Sequence, residues 1–187
     1  MNSGTTIFSQ LMKLLPRRDF RRCVDRYSGN KNVRTFSCWD QFLCMAFAQH
    51  TYRESLRDIE ACLRAIGIKL YHLGIHGRVS RNTLAYANEK RDWRIFADFG
   101  KLVIKRAQEL LGEEDFSIEV KNAVYALDST VIETCLTLFP WSFWAERESK
   151  GGLKAHTLLD LKRNIPVFID VTKRNVCDLA ALDKIPI

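Results

Sequence analysis

The spacing of apolar residues changes character part-way along the chain. Through about residue 111 the apolar positions recur every three or four residues, which is typical of amphipathic helices. Between about residues 116 and 172 they form short, β-prone runs separated by turn residues. The pattern therefore predicts an α+β chain, in which an all-helical N-terminal region is followed by a region that begins a β-sheet.

Capping signals set the predicted bounds of the helices. The predicted helices span residues 6–15, 38–50, 52–65 and 81–97, and the helical pattern continues over 98–111. Ser37 and Ser80 stand where N-caps are expected, and Pro16 and Gly67 stand where helices are expected to end. A cluster of arginines at 17–22 and a loop at 28–31 separate the first two predicted helices.

The β-rich region begins with an apolar run, 123–127, that ends in Asp128. A strand of this kind, buried on both faces, can hold a carboxylate rigidly at the edge of a core, where metal chemistry needs it. A second apolar β segment covers 134–143. Strands over 153–161 and 165–172 then form a predicted hairpin. A final helix is expected from 178, with Asp178 in the capping position.

The excess of positive charge lies entirely in the N-terminal part. Residues 1–115 hold 20 Lys and Arg against 13 Asp and Glu, whereas residues 116–187 hold nine of each. Such asymmetry suggests a module that faces a polyanion, joined to a neutral module with another task. The alternative is a solvated basic surface with no partner.

The helices at 52–65 and from 81 onward are joined by a connection that contains Gly74 and Gly77. This arrangement fits a helix-turn-helix variant with a long turn, and an ordinary basic helical bundle fits it equally well. In the first case the start of the second helix would reach base edges or phosphates, and three further arginines would contact the DNA backbone. The candidate DNA-binding residues are thus Arg81, Asn82 and Thr83, with Arg53, Arg57 and Arg78.

Cysteine spacing and hydropathy argue against a disulfide-rich secreted protein and against a membrane-spanning one. The six cysteines are irregularly spaced and contain no Cys-x-x-Cys pair, so they predict reduced, mostly buried thiols of a cytosolic protein. No signal peptide is expected at the N-terminus. The most apolar stretch, 36–48, is interrupted by Asp40 and is too short to span a membrane.

Four segments of the chain resemble the DDE transposases of the insertion-sequence-four family. They are FSCWDQF at 36–42, YRESLRDIE at 52–60, YALDST at 125–130 and LKAHTLLD at 153–160. The resemblance implies a helical DNA-binding region over 1–115 and the start of an RNase H-like catalytic domain over 116–187. In such enzymes two aspartates and a glutamate hold two divalent metals, usually Mg²⁺, which activate water or a 3′ hydroxyl for attack on a DNA phosphodiester.

The resemblance assigns Asp128 to the first aspartate of this triad. The strings expected around the other two ligands, Asp-Arg-Gly-Tyr and Tyr-Arg-Glu-Lys, do not occur in the sequence. Asp160, Asp170 and Asp178 have simpler structural roles in strands or as a cap. Lys154 and His156 share one strand face by the period of two, so they could lie near a phosphate or the metal, and Lys154 is a further candidate DNA-binding residue. The alternative is a pair of edge-strand residues with a hydrogen-bonded imidazole.

The resemblance therefore predicts a DDE transposase that binds the terminal repeats of a transposon as double-stranded DNA. We expect a truncated form that lacks the second Asp and the Glu, acting in the bacterial cytoplasm and associated with the nucleoid when bound to DNA. Its expected protein partners are further copies of itself or a full-length transposase. The alternative is a non-enzymatic DNA-binding protein that regulates or inhibits the full-length enzyme.

Overall fold

The computed structural model describes residues 6–111, 124–134 and 151–184. The chain divides into two compact units, residues 1–100 and 101–187. The boundary predicted between residues 115 and 116 lies outside the described residues. None of the described helices is long and apolar enough to cross a membrane.

The first unit is helical, as the apolar spacing predicts. Its described elements are α1 (Ile7–Leu14), α2 (Arg17–Arg26), α3 (Cys38–His50), α4 (Leu56–Ile66), a 3-10 helix (Gly67–Leu73), α5 (Arg81–Lys90) and α6 (Arg94–Leu111), the last of which continues into the second unit. The helices pack around a core in which α3, α4 and α5 supply Leu43, Leu63 and Leu84, each at most 1% exposed. This core fixes α4 and α5 against each other.

The predicted caps are confirmed where the side chain hydrogen-bonds the backbone. Ser37 accepts the Asp40 amide at 3.1 Å, while the Asp40 carboxylate accepts the Ser37 amide at 2.8 Å, which is a complete capping box. Ser80 accepts the Thr83 amide at 3.2 Å and begins α5. Gly67 ends α4 with a φ of +56°, a conformation that glycine adopts without strain.

Three helix predictions need correction. The arginine cluster lies on a helix, α2, whose buried side is supplied by Phe20, Cys23 and Val24. The helix predicted over 52–65 begins only at Leu56, because Tyr52 has a φ of +55°. The helix predicted over 81–97 ends at Lys90, and α6 starts afresh at Arg94.

The new start of α6 has a local cause. The Asp92 carboxylate accepts the backbone N–H of Arg94 at 2.9 Å, which satisfies a donor that a helix start leaves without an intrahelical partner. Helical spacing of apolar residues runs on through this point, so the break cannot be read from hydrophobic periodicity. It is set by the side chains of Arg91 and Asp92.

The second unit contains a three-stranded antiparallel sheet in the order β1-β2-β3. The strands are β1 (Tyr125–Thr134), β2 (Gly151–Asp160) and β3 (Ile165–Lys173), and α7 (Asp178–Leu182) follows. The predicted hairpin is confirmed as β2 and β3. The Asp160 carboxylate accepts the amides of Lys162 and Arg163 at 2.9 and 3.2 Å, and so shapes the turn.

The surroundings of Asp128 differ from the expectation. Asp128 is the fourth residue of β1 rather than its last, and its side chain is exposed rather than held between two buried faces. Of the β segment predicted over 134–143, only Thr134, the last residue of β1, is among the described residues. The combination of a helical unit and an antiparallel sheet confirms the predicted α+β class.

Candidate functional site

The pairing register decides which side chains of the sheet can meet. Asp128 lies opposite Thr157, whereas its neighbour Ser129 lies opposite His156, which in turn pairs with Asp170. Directly paired residues of an antiparallel sheet project to the same face, and successive residues project to opposite faces. Asp128 and Ser129 therefore belong to two different surfaces.

The face of Asp128 is the more open one. Its cross-strand neighbours are Thr157, which is half-buried, and Ile169, which is 44% exposed. An exposed carboxylate on a strand can accept a cation from solvent without the cost of burying an unpaired charge. The position thus suits a metal ligand, although a strand aspartate of this kind is also compatible with a solvated surface.

The opposite face carries a polar cluster around Asp178. The Lys154 ammonium donates to the Asp178 carboxylate at 3.1 Å and to the carbonyl of Val176 at 3.2 Å. Ser129 lies opposite His156 on this same face, and His156 Nδ1 is 3.2 Å from the Asp178 carboxylate. The donation from Lys154, followed by that from Ser129, lowers the pKa of Asp178 below its ordinary value.

His156 is the fully buried member of this cluster. Its Nε2 lies 2.9 Å from the hydroxyl of Thr172, a hydrogen-bonding distance. Its Nδ1 lies 3.2 Å from a carboxylate oxygen of Asp178, close enough for an ion pair but outside hydrogen-bond geometry. The contact with Asp178 is therefore electrostatic, and the hydrogen bond to Thr172 fixes the ring.

These contacts confirm two predictions made from the sequence for Lys154 and His156 and correct two others. Lys154 and His156 do share a face, and the imidazole is hydrogen-bonded, as the period of two predicts. Their strand is central in the described sheet, however, not an edge strand. Asp178 is the first residue of α7 rather than its cap: Cys177 holds the N-cap position, and the Asp178 carboxylate turns to β2 instead.

Metal binding requires several ligands within reach of one ion. Within 6–111, 124–134 and 151–184, no group of three or more His, Cys, Asp or Glu side chains has that arrangement. The described residues therefore do not complete a metal site around Asp128. Asp170 and Asp178 lie on the other face, where each contacts a lysine.

In the first unit, a cleft of about 320 Å³ lies where α4 meets the start of α5. Arg57 from α4 and the N-terminal residues Arg81 and Asn82 of α5 line it. Arg57 and Asn82 are exposed and Arg81 is half-buried, so these side chains present donors to solvent. Three of the predicted DNA-binding residues thus meet at one surface.

The carboxylate of Glu60, which was not among the predicted site residues, joins the two helices that line this cleft. Glu60 accepts the backbone N–H of Arg81 at 3.2 Å and the Arg64 guanidinium at 2.7 Å. The Arg81 amide, followed by the Arg64 side chain, lowers the pKa of Glu60. Its i+4 spacing to Arg64 signals a helix ion pair, but its bond to α5 depends on tertiary packing.

The other predicted DNA-binding residues lie at different places. Arg53 forms an ion pair of 3.7 Å with Asp58. Arg78 is exposed and lines a separate, mainly apolar cleft beside the 3-10 helix. Thr83 is half-buried, and its hydroxyl lies 2.9 Å from that of Ser80, so it supports the cap of α5.

Two family models match the sequence. Residues 3–76 match a domain of unknown function (DUF4372), and residues 120–185 match a Transposase DDE domain. No curated protein and no solved structure matches the chain significantly. The second match covers all three described strands and Asp128. The second match shows that residues 120–185 are similar to a transposase DDE domain, and the first assigns no function to residues 3–76.

Proposed function

We propose that this protein is a DDE-type DNA transposase whose helical unit binds transposon-end DNA and whose strand β1 supplies Asp128 as a metal ligand. The observation that carries the proposal is the match of residues 120–185 to a Transposase DDE domain. The exposed position of Asp128 on the open face of the sheet supports its assignment. The same proposal places the protein with DNA in the cytoplasm, at the nucleoid when bound.

DDE transposase domains generally use divalent metal, and Mg²⁺ is the cofactor that we propose here. When bound, the metal would stabilise the attacking and leaving oxygens of a phosphodiester displacement. Asp128 would hold the metal from the open face of the sheet. Because the described residues supply no cluster of further ligands, the decisive measurements on this chain are DNA binding and metal binding rather than strand cleavage.

DNA binding is proposed to use the cleft between α4 and α5. Arg57 and Arg81 would neutralise phosphates, while Asn82 would reach a base edge, since Asn pairs its amide with adenine. The excess of positive charge in residues 1–115 favours a polyanion over a neutral ligand. Arg53, Arg78 and Thr83 would contribute backbone contacts or hold the cap of α5, and assembly into a multimer would bring two DNA ends together.

The proposed DNA binding can be tested by fluorescence anisotropy. The probe is a labelled duplex taken from the DNA that flanks the gene. We expect affinity to fall steeply with salt, because bound phosphates release condensed counterions. Arg57→Ala and Arg81→Ala should each reduce the slope of log affinity against log salt by about one. Lys105→Ala, which removes one exposed charge outside the cleft, is the control and should leave the affinity in place. Salt-independent affinity would contradict the proposal.

Paramagnetic line broadening by Mn²⁺ tests the proposed binding of a metal by Asp128, because it detects even weak binding at a single carboxylate. In NMR spectra of the labelled full chain, we expect Mn²⁺ to broaden the amides around Asp128 preferentially. Asp128→Asn should abolish this effect. Asp170→Asn, on the other face of the sheet, is the matched control and should preserve it. Equal broadening at Asp128 and at other exposed carboxylates would refute the assignment.

A further inference from the structure

Strand β1 has few buried side chains to hold it in place. In the described sheet it pairs with β2 alone, and Tyr125, Val131 and Ile132 are 44–49% exposed. A strand that buries little apolar surface opens more readily than the core of a domain. A metal ligand on such a strand needs another constraint, because productive geometry tolerates only about 0.5 Å of displacement.

We propose that Asp178 is a positioning residue that anchors β1 through Ser129 and so fixes the backbone that carries Asp128. Ser129 is the residue next to Asp128, and it lies directly opposite His156, whose Nδ1 is 3.2 Å from the Asp178 carboxylate, so the Ser129 hydroxyl is on the same face as that carboxylate. Adjacent strand residues are about 3.3 Å apart along the chain, so holding one on the closed face restrains its neighbour on the open face. The importance of this anchor for reaction rests on the proposed function, whereas the anchor itself does not.

The anchor is rigid because Asp178 is itself fixed from β2. The ammonium of Lys154 is only 17% exposed on a side-chain basis, and it binds both the Asp178 carboxylate and the Val176 carbonyl. The Asp178 side chain is 49% exposed, so solvent screens this pair in part, and the restraint comes from the two acceptors that one ammonium holds together. Lys154 therefore holds Asp178 and the segment before α7 together.

His156 is the buried member of the cluster and lies beneath the Asp178 carboxylate. It is fully buried, its ring is fixed by Thr172, and its Nδ1 faces the Asp178 carboxylate at 3.2 Å. The imidazole is directly opposite Ser129 in the register, so the carboxylate lies over a cross-strand pair. One carboxylate thus joins β1, β2 and the start of α7 at the position adjoining Asp128.

Hydrogen exchange of the full chain, followed by mass spectrometry, tests the anchor without requiring metal or DNA. Ser129→Ala removes only the link from β1, and we expect it to speed exchange in peptides covering β1 by about tenfold while β2 and β3 stay protected. Asp178→Ala should speed exchange in β1 at least as much. Ser129→Thr, which retains the hydroxyl, should restore protection.

Asp170→Ala is the matched control. Asp170 lies on the same face and pairs with Lys184 at 2.7 Å, but it resides on β3 and has no register contact with β1. We expect its loss to leave exchange in β1 unchanged. Unchanged exchange in Ser129→Ala, or an equal effect of Asp170→Ala, would overturn the proposed anchor.

The Mn²⁺ measurement separates this inference from the proposed function. If Asp178 positions Asp128, Ser129→Ala should weaken Mn²⁺ broadening at β1 severalfold, and Ser129→Thr should recover it. Faster exchange with unchanged Mn²⁺ binding would refute the positioning role. Absence of preferential Mn²⁺ binding in the unmodified chain would refute the proposed function of Asp128, and the exchange of β1 would still decide whether Asp178 anchors the strand.

Discussion

Arg91 is predicted to be the most consequential charged side chain of the helical unit. One guanidinium nitrogen donates to the carbonyl of Ser37 at 2.8 Å and to Oε1 of Gln41 at 2.9 Å. The other donates to the carbonyl of Phe36, and the guanidinium carbon lies 5.3 Å from the centre of the Phe36 ring. Arg91 therefore ties the end of α5 to the start of α3.

The expected loss follows from these contacts. Each of the three hydrogen bonds contributes about 1 kcal/mol net, and the cation–π contact adds about 0.5–1 kcal/mol. Burial lowers the pKa of Arg91, which shows that the charge is partly withdrawn from water, but arginine stays protonated. Arg91→Ala should therefore lower the free energy of unfolding by about 3.5–4 kcal/mol. Arg91→Lys should cost about half as much, because an ammonium lacks the planar fork.

Urea denaturation followed by far-UV circular dichroism, which reports mainly the helical unit, measures the effect as a shift in midpoint. Arg22→Ala is the control: its side chain is 81% exposed and pairs with Asp19 three residues earlier, so its loss should cost under about 0.5 kcal/mol. A loss below about 1 kcal/mol for Arg91→Ala, or full stability of Arg91→Lys, would refute the reasoning.

Three further predictions concern other parts of the chain. Gly29→Ala would place a methyl group 2.5 Å from Cδ1 of the buried Ile95 and should destabilise the helical unit by about 1–3 kcal/mol. Gly100→Ala would add its Cβ where no neighbouring element lies within 4 Å, and it should stabilise α6 by about 0.5–1 kcal/mol. Thermal melts of the two variants measure both effects. Ser37→Ala removes the capping box and should cost about 1 kcal/mol by urea denaturation, and an unchanged midpoint would contradict the cap. Because the folded-state pKa of Asp178 is lowered from 3.8, its contribution to stability is present above that pH and lost as pH falls through the lower, folded value. The midpoint of Asp178→Asn should therefore converge on that of the unmodified chain as the pH falls from about 5 through 3.8 to below the lowered, folded-state pKa.

Local chemistry explains which parts of the fold could be predicted. Ser37, Ser80 and Gly67 act on backbone groups within four residues of themselves, so a short stretch of sequence contains the whole interaction. Helix α2 was missed because its exposed arginines dominate the segment and only Phe20, Cys23 and Val24 mark its buried side. The break before α6 was missed because helical spacing of apolar residues runs on through it, while its local signal is the Asp92 carboxylate that accepts the Arg94 amide.

The candidate site, like the fold, could be predicted only where the relation between residues is local. Period-two spacing predicts that Lys154 and His156 share a face, because that relation is internal to one strand. It does not predict that Asp178 is their partner, nor that Asp128 lies on the opposite face. The first relation depends on how the start of α7 packs against β2, and the second depends on the register of β1 against β2; both are tertiary properties.

The register of β1 and the polar cluster around Asp178 support each other. A slip of β1 by one residue would move Asp128 onto the face where Ser129 now contacts Asp178. Two carboxylates would then compete for Lys154, and a hydrogen bond would be replaced by like-charge repulsion. The observed register avoids that repulsion and keeps Asp128 on the open face. The cluster therefore selects the arrangement that leaves Asp128 available to a cation, in addition to holding β1 in place.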